Sequence, residues 1–255
     1  VVRVAYLDLI GGAAGDMILG AFLAAGLPLD ELRHTLDLLG LEGTEVSTRR
    51  VQRADVPATK LSVGLPGPLG RKHTHSGSPA GPTLSEVDAR LAGSRLPEPV
   101  AVAASRIFRC LALATSTVSG VPVDRVHFDQ QEVVDTYVDV VGAAFALHYF
   151  QIARLYSSPL PLWTGELATP RGAISLPHPL TSEIVRMAAV PARGDAEEGT
   201  QVTPTGAAIL ATLADFERPD IAISRRGCGA GDAELAVPNV VKVEIGDLRH
   251  PPLDD

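Results

Sequence analysis

A chain of 255 residues, 45% hydrophobic and 20% charged, is long enough to bury a sizeable core and reads as one long domain more readily than two full ones. Its formal charge of −8 excludes a nucleic-acid backbone as the main partner. No apolar run approaches the roughly 20 residues of a membrane span, the start lacks a signal peptide's basic head, and Cys110 and Cys228 form no spacing motif; a cytoplasmic protein with no membrane partner is expected.

VRVAYLDLI is β-branched and apolar, reads as a strand, and runs straight into GGAAGD. DMILGAFLAAG follows as a helix stopped by Gly26 and Pro28. A second helix starts near Asp30, whose side chain can cap it, and ends at Gly40. TEVSTRRVQ and ATKLSVGL are extended stretches joined by turn chemistry around Asp55 and Pro57. Residues 65–82, almost all Gly, Pro, Ser, Thr and basic, read as a flexible loop. Its His73 and His75 either hold a metal loosely or stay solvated.

Thr83 and Glu86 have the spacing of a capping box. A long helix over about 97–119 buries Val100, Ala104, Ile107 and Leu111 on one face. A helix over 131–149 comes next, then short strands in LYSSPLPL and GELAT and helices in PLTSEIVRMAA and TPTGAAILATLADF. Strands in IAISRRGCGAGD and NVVKVEIGD close the chain. Strands and helices mix without strict alternation, so the expected fold class is α+β: a mixed sheet or sheets packed with helices, with some α/β character. Residues 1–64 form a strand–helix–helix–hairpin part, 83–246 the remainder of the same domain, and 247–255 a tail.

Three stretches can carry anion chemistry. The GGAAGD turn, with Gly12 and Gly15, presents free N–H groups at a helix start, where an anion is favoured; glycine also suits such turns for steric reasons alone. Asp16 repels a bare phosphate there, but it can stabilise the helix end or hold a cation bridging to one. TPTG, with Thr203, Thr205 and Gly206, offers two hydroxyls and a second helix start, or simply a cap. Arg225 and Arg226 beside three glycines can pair with phosphate.

The acidic helix poses the sharper question. Asp135 and Asp139 are four apart and share a face among valines. Two unpaired carboxylates there require a cation, an arginine or backbone donors. His127 and Asp129, just before the helix, add a nitrogen and a hard oxygen, a donor set for a first-row divalent metal. Asp129 can instead cap the helix, with the other two acids meeting arginines. Asp8, at the end of the first strand, approaches Asp16 if the turn is tight. His178, held between two prolines, suits an acid, a base or a ligand.

Five blocks, YLDLIGGAAGDMILGAFLAAG, GVPVDRVHFDQQEVVDTYVDVVGAA, SSPLPLWTG, EGTQVTPTGAAILATL and GCGAGDAEL…PNVVKVEIG, together resemble the nickel-insertion protein family of nickel-pincer cofactor synthesis (LarC). The resemblance implies CTP-driven insertion of nickel into a pyridinium bisthiocarboxylate mononucleotide. It also implies a C-terminal domain that binds the nucleotide and oligomerises, so this sequence is expected to match the N-terminal part alone, with CTP's domain lying outside it. There are departures from the family pattern. Asp129 replaces a histidine, Gln130 a glutamate and Glu132 a glycine; Arg171 stands where a histidine is common, and Thr200 where a glutamate is.

Three functions follow as expectations. The first is nickel insertion. Here His127, Asp129, Asp8 and Asp16 hold nickel or another divalent cation, His127, Asp135 and Asp16 are catalytic, and Gly12, Gly15, Thr203, Thr205 and Gly206 hold the substrate's phosphate or carboxylates. The second is metal-independent lyase, isomerase or cyclase chemistry on a small anionic molecule, with His127 or a raised-pKa aspartate as acid or base and Arg171 gripping a carboxylate in place of a metal. The third is a non-catalytic scaffold paired with a separate C-terminal-domain chain, or a homo-oligomer.

Overall fold

The computed structural model describes residues 2–64, 81–129, 132–169 and 172–249. His73, His75, Gln130 and Arg171 lie outside the described residues. In chain order the elements are β1 (Arg3–Leu9), β2 (Gly12–Ala13), α1 (Gly15–Ala24), α2 (Leu29–Leu38), β3 (Glu45–Arg53), β4 (Val56–Gly64), α3 (Leu84–Gly93), α4 (Glu98–Ser119) and α5 (Val133–Tyr149). Then follow β5 (Arg154–Ser157), β6 (Leu160–Pro161), β7 (Gly165–Thr169), β8 (Gly172–Leu176), α6 (Pro179–Met187), β9 (Ala192–Arg193), β10 (Gln201–Val202), α7 (Pro204–Leu213), β11 (Ala214–Asp215), β12 (Ile221–Ala230) and β13 (Val240–Leu248).

Seven strands form one mixed sheet in the order β11-β5-β1-β13-β12-β4-β3. β1 runs parallel to β5 and antiparallel to β13, which pairs antiparallel with β12. The α+β class expected from the sequence is the observed one. Alternation along β1 explains its place. Ala5, Leu7 and Leu9 face the main core with the helices, while Val4 and Tyr6 join Tyr156 and Ile221 on the opposite face.

α1 lies on β12 at a distance that side chains would forbid. A Cβ on Gly229 would fall 1.9 Å from the Met17 carbonyl oxygen, and one on Gly227 2.0 Å from that of Ala21. The glycines of RRGCGAGD therefore serve close packing of helix on strand. Their arginines are also engaged elsewhere. Arg225 donates to the Ala25 carbonyl and lies over Phe150, and Arg226 pairs with Glu244.

α4, 22 residues long, is apolar and long enough to cross a membrane by length and composition, which the run-length criterion misses in the sequence. It packs instead against α3, α5, α6 and α7, burying Val100, Ala104, Ile107, Phe108 and Leu111. At the start of α3, Thr83 and Glu86 form the reciprocal capping box that the spacing predicts. α2 differs from expectation: Pro28 is its cap, and Asp30 pairs with Arg33 at 2.9 Å instead. Within the stretch read as a flexible loop, Gly81 and Pro82 are fixed, their carbonyls bonded to His127 and to the Phe128 N–H.

Candidate functional site

Three elements bring acidic side chains to one place. α1 begins at Gly15 and carries Asp16 in its first turn. α5 crosses that start, and a Cβ on Gly15 would lie 2.3 Å from Asp139 Oδ2. The absent side chain is what lets the α5 carboxylate press against the head of α1. One turn earlier, Asp135 faces the same way. These groups line a pocket of about 560 Å³ with Glu132, Lys60, Asp232, Thr203 and Thr205.

Lys60 comes from β4 and is only 4% exposed. Its ammonium bonds Asp16 and, at 2.9 Å, Asp232. Burial pulls its pKa down, but hydrogen bonds and charge from Asp16 and then Asp232 outweigh that, and the net shift is upward. Lys60 therefore stays charged. Among the described residues, five acids line the pocket with this single ammonium: Asp16, Glu132, Asp135, Asp139 and Asp232.

The imbalance falls on α5. Burial, then the negative charges of Asp16 and Asp135, hold the Asp139 carboxyl well above the usual carboxylate range, and Lys60 offsets them only in part. Asp135 is raised by burial, then by Glu132 and Asp16. Such a cluster either keeps a proton or takes up a cation.

The two helix starts beside the pocket are used differently from a plain phosphate cradle. Thr203 Oγ1 accepts the Gly206 N–H at 3.1 Å and caps α7. A Cβ on Gly206 would sit 2.4 Å from the Ala13 carbonyl oxygen, and one on Gly12 2.5 Å from that of Gln201. Gly12, Gly15 and Gly206 thus let chain segments approach one another, and none of them lines the pocket, whereas Thr203 and Thr205 do. Between the lining residues Gly199 and Gln201, Thr200 is 2% exposed and its hydroxyl has no partner among the described residues.

Other candidates lie apart, which corrects the expectation of one His–Asp cluster. His127 does not line the acidic pocket; it places Nδ1 2.8 Å from the Gly81 carbonyl, in a bridge with Thr83. Asp129 Oδ1 accepts the Glu132 N–H at 3.2 Å, so it serves the start of α5. Asp8 sits on the sheet face opposite Leu7 and Leu9, in register with Lys242, and lines a different cavity from Asp16. His178 caps α6, its Nδ1 accepting the Leu180 N–H at 3.2 Å; burial lowers its pKa and Glu132 partly restores it. Among the described residues no group of three or more His, Cys, Asp or Glu is placed to hold a metal ion as it stands.

Sequence reasoning missed Lys60, Asp232 and Asn239. Lys60 had one signal, a lone lysine in the alternating run ATKLSVGL. Asn239 Nδ2 donates to the Ala233 carbonyl at 2.8 Å and so holds the loop that carries Asp232.

The family model described as nickel insertion protein matches residues 5–252. The chain belongs to the nickel insertion protein family. Relatives that are nickel insertion proteins by name include one from Roseiflexus castenholzii, 37% identical over 245 residues, which cover 96% of this chain and 60% of the relative. One from Geotalea uraniireducens is 38% identical over 250 residues, covering 96% and 61%. Another, from Dictyoglomus thermophilum, is 33% identical over 245 residues, covering 95% and 60%. The chain therefore spans about three-fifths of the length of these curated relatives. No solved structure matches it.

Proposed function

We propose that the acidic pocket is where this part of a nickel insertion protein receives Ni²⁺ as substrate and hands it to an anionic acceptor. The observation that carries this is the charge imbalance: among the described residues, five carboxylates line the pocket with one ammonium. Asp135 and Asp139 are the first donors, and Asp16 joins them when it exchanges Lys60 for the metal. Oxygen donors hold nickel weakly compared with nitrogen or sulfur, so a carboxylate site can release it to a softer ligand. That suits the sulfur-bearing heterocyclic mononucleotide that the family resemblance implies as acceptor. Replacing an acceptor hydrogen by nickel frees a proton. Asp139, whose environment favours its protonated form, takes it. Thr205 and the start of α7 meet the acceptor at the pocket wall. CTP and oligomer formation belong, on this reading, to the remaining two-fifths of the relatives' length.

Equilibrium dialysis with Ni²⁺ tests the proposal. Asp135→Asn with Asp139→Asn weakens binding about tenfold or more, and His127→Ala leaves it unchanged. Nickel binding that needs His127 and ignores the two aspartates overturns it.

One observation favours a second reading, metal-independent acid–base chemistry on a small anion. Lys60 already neutralises Asp16 and Asp232. Turnover that persists in chelator supports this alternative, and a strict requirement for Ni²⁺ removes it.

A further inference from the structure

A second cavity of about 770 Å³ shares no lining residue with the acidic pocket. β4 and β12 meet at one register pair, Thr59 with Gly229, and the cleft lies beside that junction. Strand register sets Asp8, Lys242 and Cys228 in one row across β1, β13 and β12, with Tyr6, Glu244 and Arg226 in the next row on that face.

The charge of this cleft is opposite to that of the whole chain. Among the described residues, Arg49, Arg50, Arg218, Arg226 and Lys242 line it with Asp8 and Glu244, five positive charges against two negative, in a protein of formal charge −8. Glu244 is already taken, by Arg218 at 2.6 Å and Arg226 at 3.3 Å. Arg218 is further fixed over the Tyr6 ring at 4.0 Å. Arg49, Arg50 and Lys242 make no ion pair among the described residues. Arg49 shares the face of Val51 and Cys228, and so of Lys242, whereas Arg50, next along β3, points to the other face. Two like charges at one concavity repel one another and gain by sharing an anion. Leu23, Leu27 and Pro57 add apolar lining to the same cleft.

We propose that this cleft binds a small organic phosphate, its dianion held by Arg49 and Lys242 and its carbon skeleton against Leu23, Leu27 and Pro57. Forked guanidinium groups match the oxygens of a phosphate, and a lysine adds a point charge beside them. A concave site with both charged and apolar lining orients such a ligand in a single direction. The inference rests on this cleft alone and does not depend on nickel chemistry in the acidic pocket.

Isothermal titration of the whole chain at low salt, with inorganic phosphate and with phenyl phosphate as probes, tests it. One saturable site is expected, with phenyl phosphate bound more tightly than inorganic phosphate. Arg49→Ala with Lys242→Met weakens both about tenfold or more, the scale of lost charge-assisted hydrogen bonds. Arg106→Ala, which removes a cation elsewhere on the surface, leaves binding unchanged. Urea unfolding confirms that each variant is folded; where the double variant is not, Lys242→Met alone carries the same test. Absence of saturable binding, equal affinity for the two probes, or an equal loss in Arg106→Ala overturns the assignment.

Discussion

Lys60 and Asp16 stand 44 positions apart in the chain, yet the ammonium of one bonds the carboxylate of the other where β4 meets the head of α1. The lysine side chain is 5% exposed and the aspartate's 26%, so water relieves Asp16 only in part if its partner is removed. Lys60→Met, which keeps the apolar stem, should destabilise the fold by about 1–3 kcal/mol, below the cost of breaking a fully buried pair. On the proposed function a divalent cation replaces the lost ammonium. Added Ni²⁺ should then raise the urea midpoint of Lys60→Met more than that of the natural chain. An equal shift in both would count against a cation site there.

Asp139 gives a pH-dependent signature. Its folded pKa lies above its unfolded value because burial and the charges of Asp16 and Asp135 oppose ionisation. Its contribution to stability is therefore fully present below the ordinary carboxylate pKa of about 3.9 and is lost as pH rises through the raised folded value. Asp139→Asn never ionises. The variant should match the natural chain in acid and exceed it in stability at neutral and alkaline pH, read from urea midpoints across the range. A variant that is less stable at every pH would show that the carboxylate is wanted in its charged form.

Tyr137 tests the cost of an unpartnered hydroxyl. Its ring packs against Phe108 at a centroid distance of 4.9 Å, and its buried oxygen has no partner among the described residues. Burial pushes its pKa up to about 12, Arg90 pulling slightly the other way. Tyr137→Phe keeps the ring and removes the stranded group, so it should be neutral or stabilising by about 1 kcal/mol in urea unfolding. A loss of that size would mean that the hydroxyl is bonded in solution.

The glycine floor beneath α1 can be probed directly. A Cβ on Gly229 would collide with backbone at 1.9 Å, which no rotamer change can relieve. Gly229→Ala should cost about 3 kcal/mol or more, the upper range of overpacking. Gly93→Ala, with nothing within 4 Å of its added Cβ, should be mild. Thermal or urea unfolding of the pair gives the comparison.

What the sequence disclosed and what it hid follow from the range of the forces involved. The helices and strands came through because apolar periodicity and capping are local, as Thr83 with Glu86 shows. Asp135 and Asp139 were recognisable as neighbours because one helical turn separates them. Lys60 was not, since its partners Asp16 and Asp232 are set by sheet topology. Asp8 misled by nearness in the chain. It lies between Leu7 and Leu9, and strand alternation sends it to the far face. His127 misled similarly, because the short segment before α5 turns its ring towards Gly81.

The missing side chains at Gly227 and Gly229 have a consequence for how the molecule tolerates change. They act as a seat for α1, fixing its height above the strand, and Asp16 rides on that helix. The acidic residues could be exchanged one at a time and the architecture would survive. A single methyl group in the seat would tilt the helix and scatter the cluster without touching any charged residue.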